Sequence, residues 1–127
     1  MSAFCAEPTL NTMLDALQER MGLVREWTKF LRDFPILLCP VSGEPPFPDQ
    51  LDVQSPETFR RVFEAQLTQI GLPFMALPGL TVSTGVNGTT PIGVMLVAAR
   101  YREDLLLQAG EAIERAGTPA TPIDPAK

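Results

Sequence analysis

Between Gly71 and Glu114 the chain is punctuated by proline and glycine at positions that leave few choices of fold. Pro73 to Pro78 encloses a short apolar run that reads as a strand, and Leu80 to Thr84 reads as a second. Gly85-Val86-Asn87-Gly88 carries an Asn-Gly pair, the favoured tight-hairpin turn. Ile92 to Ala98 is a strong strand signal, and Pro91 can stand at its first position because no ladder donor is needed there. Tyr101 to Arg115 follows as a leucine-rich helix with Glu103 and Asp104 in its first turn, Arg115 in its last and Gly117 just beyond.

Upstream, the pattern turns helical from Thr9. Leu10, Met13, Leu14, Leu17, Met21, Val24, Trp27, Phe30 and Leu31 recur at spacings of three and four and paint one apolar face. Thr9 or Asn11 suits the cap, and Gly22, which costs about 1 kcal/mol against Ala, marks a place for a kink. Pro35 ends the helix. Ile36 to Val41 is a continuous apolar run whose length and flanking prolines favour a strand buried on both faces. Ser42 to Ser55 reads as a loop with prolines at 45, 46 and 48. Ser55-Pro56-Glu57 is a helix start, with a capping hydroxyl, proline at the first helical position and an acidic first turn. Glu57 and Arg61 are spaced for an i,i+4 pair, and Gly71 fits a left-handed helix end. The expected fold is α/β: a mixed sheet of about four strands with helices packed on it. One domain spans residues 1–127, with 1–8 and 118–127 loose.

The charge balance excludes several functions. Fifteen carboxylates against ten Lys and Arg give a net charge of −5, which argues against a nucleic-acid partner. No apolar run reaches the roughly 18 residues of a membrane span, and the N-terminus has no signal-peptide pattern, so a cytoplasmic location is expected. There is no histidine, which removes Ser-His-Asp and Cys-His catalysis and the commonest zinc ligand. Cys5 and Cys39 do not make a disulfide framework, and a reduced protein is the simpler reading. No metal and no cofactor is expected. Glu44, Asp49 and Asp52 read as solvated loop charge, since their spacing fits no calcium loop.

The order of these pieces carries a resemblance. Trp27-x-x-Phe30-Leu31 leads to Phe34-Pro35-Ile36-Leu37-Leu38-Cys39-Pro40-Val41. Gly71, Pro73 and Pro78 form a Gly-x-Pro-x(4)-Pro pattern. Pro91-x-Gly93-Val94 opens a strand, and Glu103-x-Leu105-Leu106 opens a helix. Over roughly residues 13–124 this resembles the C-terminal end of the amidase signature family. Met95 stands where that family usually has Gln, and Thr68 where it often has Asn.

The resemblance implies amide C–N cleavage by a Ser-Ser-Lys apparatus, on a large mixed sheet covered by helices. That apparatus lies in a Gly/Ser-rich segment with oxyanion-binding backbone donors, and this chain contains no such segment. Its serines are Ser2, Ser42, Ser55 and Ser83 and its lysines Lys29 and Lys127, none with the required flanks. No catalytic residue is therefore assigned here. Gly71, Pro73, Pro78, Pro91 and Gly93 are the family-pattern structural positions, and Pro45, Phe47 and Asp49 are candidates for a pocket-wall loop. The expected partner is the missing catalytic segment of a parent amidase. The competing class is a noncatalytic homo-oligomeric module, in which a second copy covers open sheet edges. A third, a small-molecule binder using the groove beside the proline loop, has no residue that identifies its ligand.

Overall fold

A computed structural model describes residues 7–88 and 90–117. Four helices and three strands follow in the order α1 (Leu10–Asp33), β1 (Ile36–Pro40), α2 (Pro56–Ala65), α3 (Leu67–Phe74), β2 (Gly79–Asn87), β3 (Thr90–Ala98) and α4 (Glu103–Arg115), with a 3-10 turn at Leu51–Val53 between β1 and α2. The α/β class is as expected. The sheet order is β1-β3-β2, and both pairings are antiparallel. It thus has three antiparallel strands among the described residues, where about four in a mixed sheet were expected.

The missing strand is Pro73 to Pro78. Pro73 lies inside α3 instead. A proline in the last turn of so short a helix forfeits one backbone bond, and the apolar residues around it, Leu72, Met75 and Leu77, gain burial in return. Gly71 correspondingly sits within α3 and not at its end. The left-handed residue is Ala76, at φ 54. The Ala76 N–H donates to Pro73 O and the Leu77 N–H to Leu72 O, the paired bonds of a Schellman stop, with Leu72 and Leu77 sharing the core beneath it. Arg100 donates to the Met75 carbonyl at 2.7 Å and Arg20 to the Phe74 carbonyl, so two cations meet the α3 C-terminus.

Thr9 is the cap of α1, in a reciprocal pair with Thr12. The helix runs through Gly22 as one element. Ser55 forms the same reciprocal pair with Thr58 at the start of α2. The hairpin turn falls one residue later than the Asn-Gly pair suggests: Asn87 pairs with Thr90, and Gly88 takes the connection at φ 64.

The sheet separates two cores. On one face Leu31, Leu72, Met75 and Leu77 pack on Met95 and Val97, with Val24 and Trp27 of α1 against them. On the other, Leu106 of α4 packs on Val82, Leu96 and Ala98. Side-chain alternation along β3 serves both layers. Gly110 brings α4 close: a Cβ there would lie 2.7 Å from Leu80 Cδ2. No charged residue occurs between Glu64 and Arg100, so α3 and the whole hairpin are built from neutral residues. Residues 1–6 and 118–127, with Cys5 and most of the two expected loose ends, lie outside the described residues.

Candidate functional site: a cleft between the proline loop and the hairpin

A cleft of about 610 Å³ opens where β1 hands over to the proline loop. One wall is Val41 with Pro45, Pro46 and Phe47. The other is the β2–β3 ladder at Thr81, Ser83, Ile92 and Gly93. Its lining is predominantly apolar, with a few hydroxyl and amide groups, which is the usual composition of a small-molecule site.

The loop wall is held by the α2–α3 junction. Thr68 Oγ1 donates to the Val41 carbonyl at 2.9 Å and Gln69 Nε2 at 3.1 Å. The Gly43 N–H donates to Ala65 O at 2.8 Å. Arg61 grips both Glu44 carboxylate oxygens, Nε donating to Oε1 at 3.1 Å and Nη2 to Oε2 at 2.6 Å. This fork is the geometry in which arginine binds carboxylates best. Arg61 therefore reaches across to the loop, although its i,i+4 spacing suits Glu57. The guanidinium bond holds the Glu44 carboxyl below the usual carboxylate range. With its start fixed in this way, the Pro45-Pro46-Phe47 tract is a stiff wall.

The hairpin wall depends on Gly93. A Cβ there would lie 2.7 Å from the Val82 carbonyl oxygen. Any side chain at this position would push β2 from β3.

The predicted site residues divide. Pro45, Phe47, Pro91 and Gly93 all line the cleft. Asp49 does not line it and is exposed. Pro78 precedes β2, and Gly71 and Pro73 lie in α3, away from the cleft lining. Gln66, Thr81, Ser83 and Ile92 line it without having been singled out. Thr81 and Ser83 had a readable signal, being polar residues at alternate positions of a predicted strand. Gln66 had none, because the break between α2 and α3 is not marked by Gly or Pro.

The described serines and lysine serve local structure. Ser42 Oγ donates to Ala65 O and accepts from the Glu44 N–H. Ser55 caps α2, Ser83 Oγ donates to Ile92 O across the hairpin, and Lys29 pairs with Glu26 on α1. Cys39 is not in a disulfide, and burial pushes its thiol up. Among the described residues no three His, Cys, Asp or Glu side chains gather as metal ligands, and no helix is long and apolar enough to cross a membrane. Met95, at the position where the family pattern has Gln, is buried in the core under α1 and α3. Thr68, at the Asn position, tethers the loop wall.

The Amidase family model matches residues 2–107. Indoleacetamide hydrolase of Bradyrhizobium japonicum is 35% identical over 107 residues, covering 84% of this chain and 23% of that protein. Indoleacetamide hydrolase of Bradyrhizobium diazoefficiens is 37% identical over 110 residues, covering 85% and 21%. A glutamyl-tRNA(Gln) amidotransferase subunit of Pediococcus pentosaceus is 25% identical over 101 residues, covering 80% and 20%. The chain spans about a fifth of the length of the curated relatives it matches. On the family match across most of its length, with the order of strand, loop and hairpin that carries it, the chain belongs to the amidase family.

Proposed function

We propose that this chain is the C-terminal segment of an amide hydrolase and supplies one wall of its substrate cleft. The observation that carries the reading is the cleft itself: an apolar, prestiffened wall in a chain of the amidase family that spans about a fifth of its relatives. In this reading the nucleophilic serine, its partner serine and the lysine come from a segment outside this chain. The amide carbon is attacked there, the C–N bond breaks, ammonia leaves, and water releases the carboxylic acid. Phe47, Ile92 and the prolines hold the apolar part of the substrate. Two relatives are indoleacetamide hydrolases, so the proposed substrate is an aromatic acetamide. Alone, the chain is inactive. A cytoplasmic location belongs to the same reading.

The test is ammonia release from indole-3-acetamide. The purified chain should give none, and the chain joined to the remaining part of the B. japonicum enzyme should give turnover. In that joined enzyme Phe47→Ala should raise KM with little change in kcat, because Phe47 binds and does not react. Turnover by the chain alone would overturn the reading.

The alternative, a stand-alone homo-oligomeric module, is favoured by one observation. Leu10, Met13, Leu14, Leu17 and Met21 form an uncovered apolar stripe on α1. Light scattering on the purified chain decides between a monomer and a discrete oligomer.

A further inference from the structure

Another cavity, of about 450 Å³, opens beside the C-terminus of α3 and shares no lining residue with the cleft. Arg20 reaches it from α1, Arg100 from just after β3 and Glu103 from the first turn of α4. Both arginines are fixed in place by backbone. Arg20 Nε donates to the Phe74 carbonyl, and its guanidinium lies 5.6 Å from the centre of the Phe74 ring. Arg100 donates to the Met75 carbonyl from Nε at 3.3 Å and from Nη2 at 2.7 Å. A guanidinium is a fork of several N–H donors, so each arginine keeps donors for a ligand.

The charges around the cavity are unspent. Among the described residues neither arginine has a carboxylate partner. A helix C-terminus offsets only about half a unit of charge, so the two guanidiniums leave positive charge beside the cavity. Glu103 lines the same cavity and pairs with neither of them. Fixed cations and a separate carboxylate facing one cavity are the complement of a zwitterion.

Tyr101 adds an independent sign. The Arg102 N–H donates to Ala99 O at 3.1 Å and closes a turn whose third residue is Tyr101, at φ 62. Glycine suits that position, and a bulky side chain is strained there. The strain brings no packing in return, because Tyr101 is 88% exposed. Strained residues of this kind gather at ligand sites. At the rim of a cavity an exposed ring offers its face to an apolar group.

We propose that this cavity binds an α-amino acid with an apolar side chain. The carboxylate sits between Arg20 and Arg100, the ammonium on Glu103, and the side chain against Tyr101 and Leu77. Arginine is the residue best shaped to grip a carboxylate. None of these residues lines the cleft, so the site holds whether or not the chain serves a hydrolase.

The experiment is a titration of the purified full chain with L-phenylalanine, phenylacetate and phenethylamine, followed by backbone amide NMR. L-phenylalanine should shift the amides of Ala76, Tyr101 and Glu103 and leave those of Thr81 and Ile92 in place. Phenylacetate lacks the ammonium and phenethylamine the carboxylate, so each should bind at least about tenfold more weakly. Glu103→Gln should weaken L-phenylalanine binding about tenfold and strengthen phenylacetate binding, because a like charge is removed. Tyr101→Gly should raise the unfolding midpoint by relieving the turn, and yet weaken L-phenylalanine binding several-fold. A misfolded variant cannot give that pair of results. Equal affinity for L-phenylalanine and phenylacetate would mean a plain anion site and would overturn the proposal. Shifts confined to the cleft, no shifts at all, or unchanged affinity in Glu103→Gln would overturn it as well.

Discussion

The two halves of α1 carry the same apolar spacing and meet different fates. Toward its C-terminus Val24, Trp27 and Leu31 join the core, and Leu31 is 3% exposed. Toward its N-terminus Leu10, Met13, Leu14 and Leu17 continue the stripe, and Leu10 is 74% exposed. Nothing in the residue types marks the change. The difference lies in what stands opposite: β3 and α3 face the second half, while Leu10, Met13, Leu14 and Leu17 belong to neither core among the described residues. Periodicity reports that a helix face is meant to be covered. It does not report whether the cover lies in the same chain.

This contrast can be tested by truncation at matched positions. Leu31→Ala should cost about 2–5 kcal/mol, since it opens a cavity in a packed layer, whereas Leu14→Ala should stay within about 0.5 kcal/mol. Denaturant unfolding of the two variants measures both. A similar loss at both positions would mean that the N-terminal half is covered after all.

The two helix caps extend the comparison, because Thr9 and Ser55 make the same reciprocal bond pair with a threonine three residues on. Ser55→Ala should lower global stability by about 1 kcal/mol, because α2 anchors the loop wall. Thr9→Ala should fray the first turn of α1, seen as faster amide exchange there, with the unfolding midpoint unchanged. A smaller effect of opposite sign is expected at Ala76. Ala76→Gly should raise stability by up to about 1 kcal/mol, because the left-handed backbone is costly for alanine and free for glycine.

The smallest effect concerns pH. Glu44 has its carboxyl lowered first by the hydrogen bond from Arg61. Its contribution to anchoring the loop is therefore full above the ordinary carboxylate range and is lost as pH falls through the lowered value. A carbon-detected titration of Glu44 should show the depressed midpoint, and Arg61→Gln should return it to the ordinary range.

The sequence foretold the local elements well where one residue type dictates geometry. Ser55-Pro56, Pro35 and Gly117 mark ends that the structure keeps within a residue or two. The four-strand expectation failed at Pro73 to Pro78, since a short apolar run between prolines suits a buried helix end as well as a strand. Arg61 shows a second limit. Its helix neighbour Glu57 was legible, but Glu44 is 17 positions away and becomes its partner only through the fold. Of the residues lining the cleft, Pro45 and Phe47 were singled out as part of a loop wall because the proline tract marks a stiff loop, whereas Pro91 and Gly93 were read only as family-pattern positions. Gln66 and Ile92 were not singled out, because their role comes from tertiary placement alone. The close approach at Gly93 was visible only as a glycine, and the Val82 carbonyl that requires it emerges with the register.

The neutral stretch between Glu64 and Arg100 has a consequence for how this molecule fails. While the hairpin is closed, Val94 to Val97 is paired on both sides, and Met95 to Ala98 is buried between two helical layers. Once open, the same residues form a β-prone segment with no charge and no internal proline to interrupt stacking against identical copies. Every charge that keeps separate molecules apart lies outside this stretch. Precipitation on mild heating should therefore begin when β2 and β3 part, and the turbidity of a solution would serve as a direct gauge of that opening.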